Sequence, residues 1–302
     1  MKRVGIVSCD KWADKISEDL KLRDALNELG VESEIVSWQQ PLDKNFDLLI
    51  LRSVWGYQDD FNNFRKWLLT LDEKGMPLLN DINMILENIQ KEKQFNLLKK
   101  NKIETIKTYF LKNFEASEKN IIRILESRFG NEPCVIKPTI SGSGKNTYAV
   151  NCNDEIPNSV LFNEIYGNFE KILENNPYCG LMFQPFIPEI INGEYSCIFI
   201  DGVLTHTMLR FPAIFHKKIK TQLVTNVPPQ ILDLAKRVES INEYSGYLYM
   251  RVDMVLINGE AKIMEVELAE PDLLTKYIDD KKIQNSVVRT LSKRIKERAD
   301  RL

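Results

Sequence analysis

Histidine is nearly absent from this 302-residue chain, which holds only His206 and His216. Cysteine is sparse and odd in number: Cys9, Cys134, Cys152, Cys179 and Cys197 are scattered, with no C-x-x-C pair. These shortages argue against a zinc site and against a disulfide framework. Most of the cysteines sit in apolar, strand-like runs, where a thiol behaves as a small buried hydrophobe. Long apolar runs are missing too. The N-terminal run at 4–7 is too short for a signal-peptide core, since charge returns at Asp10 and Lys11. No segment approaches the roughly 20 apolar residues of a membrane-spanning helix. A cytoplasmic protein is expected. Nor does one sign of charge dominate: 41 Lys and Arg against 43 Asp and Glu give a net charge of −2. No nucleic-acid or membrane partner is therefore expected. A polyanionic ligand would have to be held by a few specific cations.

What is present is an ordered alternation of strands and helices. Residues 3–9 read as a buried strand. Residues 14–29 carry Ile16, Leu20, Leu22, Leu26 and Leu29 at helical spacing and stop at Gly30, the position of a left-handed C-cap. Strands at 31–38 and 46–51, a helix at 61–74 and a short strand at 76–79 complete a parallel α/β lobe, residues 1–85. Residues 81–100 read as one long polar helix entering a second lobe, 86–180. That lobe has strands at 106–111, 134–137 and 148–150 and a helix at 119–129. A third lobe, 181–302, has strands at 181–186, 195–200, 203–209, 247–256 and 262–268, a helix at 231–240 and a charged helical tail. Asp201-Gly202 and Asn258-Gly259 are strong hairpin turns. The fold class is α/β in the first lobe and α+β in the two that follow.

Four stretches carry chemistry. Arg251-Val252-Asp253 and Glu265-Val266-Glu267 lie in the two strands of the last hairpin. Alternation puts Glu265 and Glu267 on one face, and the hairpin can add Asp253. Three carboxylates on one face repel unless a cation neutralises them, and hard oxygens on a rigid sheet suit Mg²⁺ bridged to phosphates; the plainer reading is a solvated acidic face. Lys137 ends the apolar strand before Pro138, pointing into a cleft or snorkelling at an edge. After it, Ser141, Gly142, Ser143 and Gly144 form a small, flexible loop whose N–H groups can cover phosphates. This loop is neither a P-loop (Asn146 follows Gly144-Lys145) nor a dinucleotide fingerprint (position 147 is Thr). Finally, Gln184, Pro185, Phe186 and Ile187 end a strand that either passes beside a flat base or is simply core. Glu189 and Glu194 follow, placed to accept from ribose hydroxyls.

In their order these elements resemble the ATP-grasp superfamily, and within it the O-ureido-serine cyclo-ligase-like group, relatives of prokaryotic glutathione synthetase. The resemblance rests on Arg52-Ser53-Val54-Trp55-Gly56-Tyr57, on Gln184 to Glu189, on Gly193 to Ser196 followed by Thr205-His206-Thr207, on Arg251 to Asp253, and on Glu265 to Pro271. It covers nearly the whole chain. It implies lobes that clasp ATP, and a ligase that phosphorylates a substrate carboxylate and lets an amine or similar nucleophile displace phosphate. It also implies that Lys93, in preference to Lys91, and Lys137 contact ATP phosphates. Asp253, Glu265 and Glu267 would hold Mg²⁺, or Mn²⁺ in its place, and Arg210 and Arg251 would face the acylphosphate or the substrate carboxylate. His206 is a candidate for acid/base work or a structural histidine; His216 reads as a loop residue. Arg52 and Trp55, after a parallel strand, are substrate-side candidates. Gly56, where the group has Asp, and Glu87, where an aromatic is common, are departures that bear on the substrate. The substrate implied is a small molecule or peptide bearing a carboxylate, and relatives often pair as homodimers. The competing classes are a small-molecule kinase on the same scaffold and a non-catalytic ATP binder.

Overall fold

The computed structural model describes residues 1–42, 45–142, 144–150, 160–211 and 220–302, with side chains from 163 onward in the fourth stretch. Ser143, Cys152 and His216 lie outside the described residues.

β1 (Arg3–Ser8), β2 (Glu32–Ser37), β3 (Leu48–Leu51) and β4 (Leu78–Leu79) form a parallel sheet in the order β2-β1-β3-β4. Helix α1 (Ser17–Glu28) packs Leu22 and Leu26 against Val4, Ile6, Leu48 and Ile50. It ends where expected: Gly30 has φ +77°, with Gly30 N–H bonded to Asn27 and Val31 N–H to Leu26. Those two bonds satisfy carbonyls that the helix end would leave open. Helix α2 (Phe61–Glu73) buries Phe61, Phe64, Leu68 and Leu71 on the other face of the sheet.

The long helix expected over 81–100 is two helices, α3 (Ile82–Ile89) and α4 (Lys91–Lys100). Asp81 caps the first, accepting from Asn83 and Met84 N–H groups. The chain leaves helical geometry at Gln90 (φ −83°, ψ 97°), and Lys91 N–H instead bonds Thr139 C=O. Nothing in the local sequence marks this break; a tertiary bond makes it.

β5 (Tyr109–Leu111), β6 (Cys134–Pro138), β7 (Tyr148–Val150) and β8 (Leu181–Pro185) form an antiparallel sheet in the order β5-β8-β6-β7. Helices α5 (Glu118–Arg128) and α6 (Val160–Asn175) cover it through Ile121, Leu125, Ile165 and Phe169. Helix α6 is an addition to the sequence reading. The 181–186 strand, grouped by order with the last lobe, belongs to this sheet because it pairs on both sides, with β6 and β5.

β9 (Glu194–Ile200), β10 (Val203–Phe211), β11 (Lys220–Leu223), β12 (Tyr249–Ile257) and β13 (Glu260–Glu267) form the third sheet, order β11-β10-β9-β12-β13. Both hairpin turns hold: Asp201, Gly202, Asn258 and Gly259 all have positive φ, as type I′ turns require. One face packs on α7 (Pro229–Glu239) through Val252, Met254, Ile263 and Val266. The other meets the parallel sheet, α1 and α8 (Lys281–Ala299) through Ile198, Ile200, Met208 and Tyr249. Cys9, Cys134, Cys179 and Cys197 are buried. Among the described residues no helix is long and apolar enough to cross a membrane.

Candidate active site

The second face of the third sheet turns polar at one end. Register places Asp253 opposite both Glu265 and Ser196, Arg251 opposite Glu267, and Arg210 opposite Glu194. A bulge at Met264, between the pairs Asp253–Glu265 and Met254–Ile263, keeps both glutamates on this face while Ile263 and Val266 enter the core.

The carboxylates are not bare, which corrects the expectation of three acids awaiting a cation. Asp253 accepts from Ser196 Oγ at 2.6 Å and from Arg251 Nε at 3.0 Å, and pairs with Arg210 and Arg251 at 2.9 Å each. Arg251 also reaches Glu267 Oε1 at 2.5 Å, and Arg210 reaches Glu194 at 2.9 Å. Lys91 Nζ lies 2.9 Å from Glu265 Oε1 and donates to Ser141 C=O at 2.8 Å. Both oxygens of Asp253 are thus occupied by the arginines and the serine. Glu265 and Glu267 each keep Oε2 without a hydrogen bond among the described residues. No group of three or more His, Cys, Asp or Glu among those residues is disposed to hold a metal alone.

The electrostatics follow. Burial raises the Asp253 carboxyl, but Arg210 and Arg251 outweigh it and the net shift is downward. Glu265 is likewise lowered: burial opposes, and Lys91 with Lys137 prevails. Glu267 is pushed well up, first by burial, then by Glu265, Asp253 and Glu270, with Arg251 opposing. Glu270 is raised by burial and by Glu265. This end of the face holds more carboxylate than its cations neutralise, which is the electrostatic setting of a cation site.

Lys93 is not part of it. Its ammonium sits on the surface, 2.6 Å from Glu87. Two residues along a helix is about 200° of rotation, so Lys91 and Lys93 face opposite ways. The break at Gln90 makes Lys91 the first residue of α4 and turns it inward. Lys137 comes from β6 on the facing sheet. Burial lowers its ammonium, and among the described residues it makes no ion pair within 4 Å. The loop after β6 bends over the cleft: Gly142 approaches the Gln58 side chain, Gly144 has φ +68°, and Lys145 pairs with Asp59 at 2.7 Å.

At the end of β8, the Gln184 amide is buried and donates to Thr108 Oγ1 at 2.9 Å. Phe186 N–H is bonded to Pro133 C=O, and Ile187 C=O accepts from Ile190 N–H. Among the described residues Phe186 C=O and Ile187 N–H make no hydrogen bond; as the two ends of one trans peptide unit they point to opposite sides, so only one of them can face the site. Pro185 packs in register with Cys134. Glu189 is half-buried in the turn that follows, and Glu194 pairs with Arg210 through Oε2.

Two candidates fall away from the cleft. Arg52 is 4% exposed. Its guanidinium faces Asp19 at 3.5 Å and Glu18 at 3.8 Å, donates to Pro271 C=O at 3.2 Å and lies over the Tyr249 ring. These contacts join the first lobe to the third. His206 sits four residues from Arg210, roughly 13 Å along the strand. Its Nε2 donates to Leu273 C=O at 2.8 Å, and Nδ1 meets Thr205 Oγ1 at 2.9 Å. Burial lowers its pKa. A His206→Gln variant is expected to leave nucleotide binding unchanged. It should also flatten the loss of stability below about pH 6.5, where the unfolded chain takes up that proton before the folded one. Urea unfolding from pH 5 to 8 reads the effect, and an unchanged slope would contradict it. Trp55 does remain at the cleft: it is half-buried, edge-on to Trp12, and donates to Glu270 C=O at 3.2 Å. Sequence reading gave Ser196 no role, although it lies in the Gly193–Ser196 motif and holds Asp253.

Solved structures of the same shape decide the fold. The D-cycloserine synthetase DcsG superposes with a TM-score of 0.78 at 18% identity, over 97% of this chain and 99% of that one. The chain has the ATP-grasp fold. An ATP-grasp protein with a RimK domain from Sphaerobacter thermophilus matches at TM-score 0.67 and 14% identity, over 96% and 98% of the two chains. The D-alanine–D-alanine ligase of Bacillus anthracis, complexed with ATP, matches at 0.65 and 18%, over 100% and 98%. Residues 4–80 match the family model for the N-terminal domain of D-cycloserine synthetase DcsG. By sequence, the coenzyme gamma-F420-2:alpha-L-glutamate ligase of Methanocaldococcus jannaschii is 25% identical over 199 residues, which span 62% of this chain and 65% of that relative. In the ATP-grasp frame, the cleft between the β6–β8 sheet and the β9–β13 sheet is where the residues above converge.

Proposed function

We propose that this chain is an ATP-dependent carboxylate–amine ligase, or a cyclo-ligase, that works through an acylphosphate. The observation that carries the reading is the convergence of Lys91, Lys137, Arg210 and Arg251 on a face whose two glutamates keep open oxygens. Lys91, from helix α4, and Lys137, from β6, hold the phosphates. Glu265 and Glu267 offer Oε2 to Mg²⁺, or Mn²⁺. Magnesium is commonly bound by one or two carboxylates plus phosphates and not by an all-protein cage, so the donor set fits. When bound, the ion neutralises charge on the transferring phosphoryl group. Asp253 acts at one remove, by fixing the two arginines. Of the two, Arg210 is placed to meet the acylphosphate oxygens as charge develops, since the three nitrogens of Arg251 are already bonded to Asp253, Glu267 and Asp272 C=O. Phe186 C=O accepts from the adenine amino group, and the loop that follows β6 screens the phosphates from water. Trp55 and Glu270 line the substrate side. The relatives named above include a D-alanine–D-alanine ligase and a glutamate ligase, which supports an amino-acid or peptide carboxylate.

The deciding experiment supplies ATP with mixtures of amino acids and small peptides. ADP and phosphate are expected only when carboxylate and nucleophile are both present. ADP without phosphate would make the protein a kinase, and neither product would make it a binder. Glu267→Gln is expected to remove turnover while retaining part of the nucleotide affinity; wild-type turnover in this variant would overturn the site.

A further inference from the structure

The strand that carries Glu265 and Glu267 is the edge of its sheet, yet over this stretch its outer side is buried. An edge strand exposes a row of unpaired N–H and C=O groups, and each one buried without a partner carries its full desolvation penalty. Here side chains take those bonds. Val266 N–H donates to Gln94 Oε1 at 3.0 Å, and Val266 C=O accepts from Gln94 Nε2 at 2.7 Å and from Asn88 Nδ2 at 2.9 Å. Leu268 N–H donates to Asn88 Oδ1 at 3.0 Å, and Leu268 C=O accepts from Asn80 Nδ2 at 2.6 Å. Gln94 and Asn88 are 2% and 6% exposed. A primary amide offers a donor and an acceptor side by side, so Gln94 grips the Val266 peptide as a neighbouring strand would.

Val266 is the residue between the two glutamates. Its N–H and C=O lie in the peptide units that bear the Cα atoms of Glu265 and Glu267, so the tilt of those units sets where both carboxylates point. Gln94 also follows Lys91 by three residues on α4, which puts the two on one helix face. Lys91 meets the Glu265 side chain while Gln94 meets the backbone beside it. Helix α4 therefore clamps β13 at two points.

We infer that Gln94 and Asn88 are positioning residues for the metal–phosphate site: through the backbone of Val266 and Leu268 they fix Glu265 and Glu267 relative to Lys91. The inference rests on the reading of those glutamates as metal-facing. Outer residues that orient metal ligands are worth roughly 10- to 100-fold in metal affinity.

Calorimetric titration of the full chain with ADP, once in Mg²⁺ and once in EDTA, separates the possibilities. The wild-type protein should bind ADP more tightly with Mg²⁺. Gln94→Leu and Asn88→Leu should each lose about tenfold or more of that Mg²⁺-dependent gain and keep the affinity measured in EDTA. Gln284→Leu is the matched control: Gln284 is a buried amide on α8 that donates to Ile278 C=O, so its loss should lower stability and leave the gain intact. If Gln94→Leu does not fold, Gln94→Asn carries the same test, since it keeps a neutral amide and, one methylene shorter, withdraws it from Val266. Variants that lose stability but retain the full gain would show a merely structural role and overturn the inference. A wild-type protein with no Mg²⁺-dependent gain would instead overturn the metal reading of Glu265 and Glu267, and the inference with it.

Discussion

Replacing Lys91 with methionine is expected to weaken ADP binding in Mg²⁺ by roughly 10- to 100-fold, whereas Lys93→Met leaves it unchanged. The size follows from a charge-assisted hydrogen bond to phosphate, worth about 1.5–3 kcal/mol at 1.4 kcal/mol per tenfold. Methionine keeps most of the length and the apolar stem, so the experiment reads the ammonium and not the packing. Lys91 has a second task that Lys137 cannot cover. Its Nζ bridges Glu265 and Ser141 C=O, tying a β13 carboxylate to the root of the glycine-rich loop. The variant should therefore also lose stability. The Glu265 side chain is 27% exposed and keeps the attraction of Lys137, so the loss falls below the roughly 3–5 kcal/mol of a fully buried pair. Lys137→Met should weaken ADP without that second effect, because Lys137 holds no ion pair among the described residues. Calorimetry and urea unfolding on the three variants distinguish the roles. Weakened binding in Lys93→Met with none in Lys91→Met would reverse the assignment.

The preference for Lys93 shows where sequence reasoning stops. Helix phase is legible only within an unbroken helix, and the break at Gln90 is made by a bond from Lys91 N–H to Thr139, 48 positions away in the chain. Without it, the two lysines differ by nothing the local sequence marks. The turn of the last hairpin was legible, since Asn258-Gly259 fixes it; the shared face was not, because without the bulge at Met264 the register would set Glu265 opposite Val252 and away from Asp253. The partners of its acids were not, because Arg210 reaches Asp253 across an intervening strand. Asn88 and Gln94 left no signal either. An amide that hydrogen-bonds a remote backbone follows no periodicity, and in a polar helix it reads as surface. What composition and pattern could convey were the elements and the order of the motifs. What they could not convey were the pairings between distant segments, and the cleft is made of such pairings.

Arg52 is the case where a pairing changes the role of a motif residue, and its replacement should give a large loss of stability. Arg52→Met is expected to lower the unfolding free energy by roughly 3–5 kcal/mol, the cost of leaving buried charge unpaired. Glu18 and Asp19 are 9% and 2% exposed, and Arg52 is the guanidinium that faces both. Asp19 is otherwise held by Ser53, and Glu18 by Thr275 and by Lys276 N–H. The triad thus ties α1 and the end of β3 to the 270–276 segment that follows the acidic hairpin. Burial already raises both carboxyls above their ordinary values, against the pull of Arg52. A raised acid favours the folded state in its protonated form, so removing Arg52 raises the folded values further. The deficit should then be greatest at high pH and shrink as pH falls through those values. Urea unfolding at pH 8 and pH 5 checks both the size and the sign. If Arg52 instead bound substrate at the end of the parallel sheet, Arg52→Met would keep wild-type stability at both pH values. A deficit that grows toward pH 5 would also count against the triad, because protonating unpaired carboxylates can only relieve it.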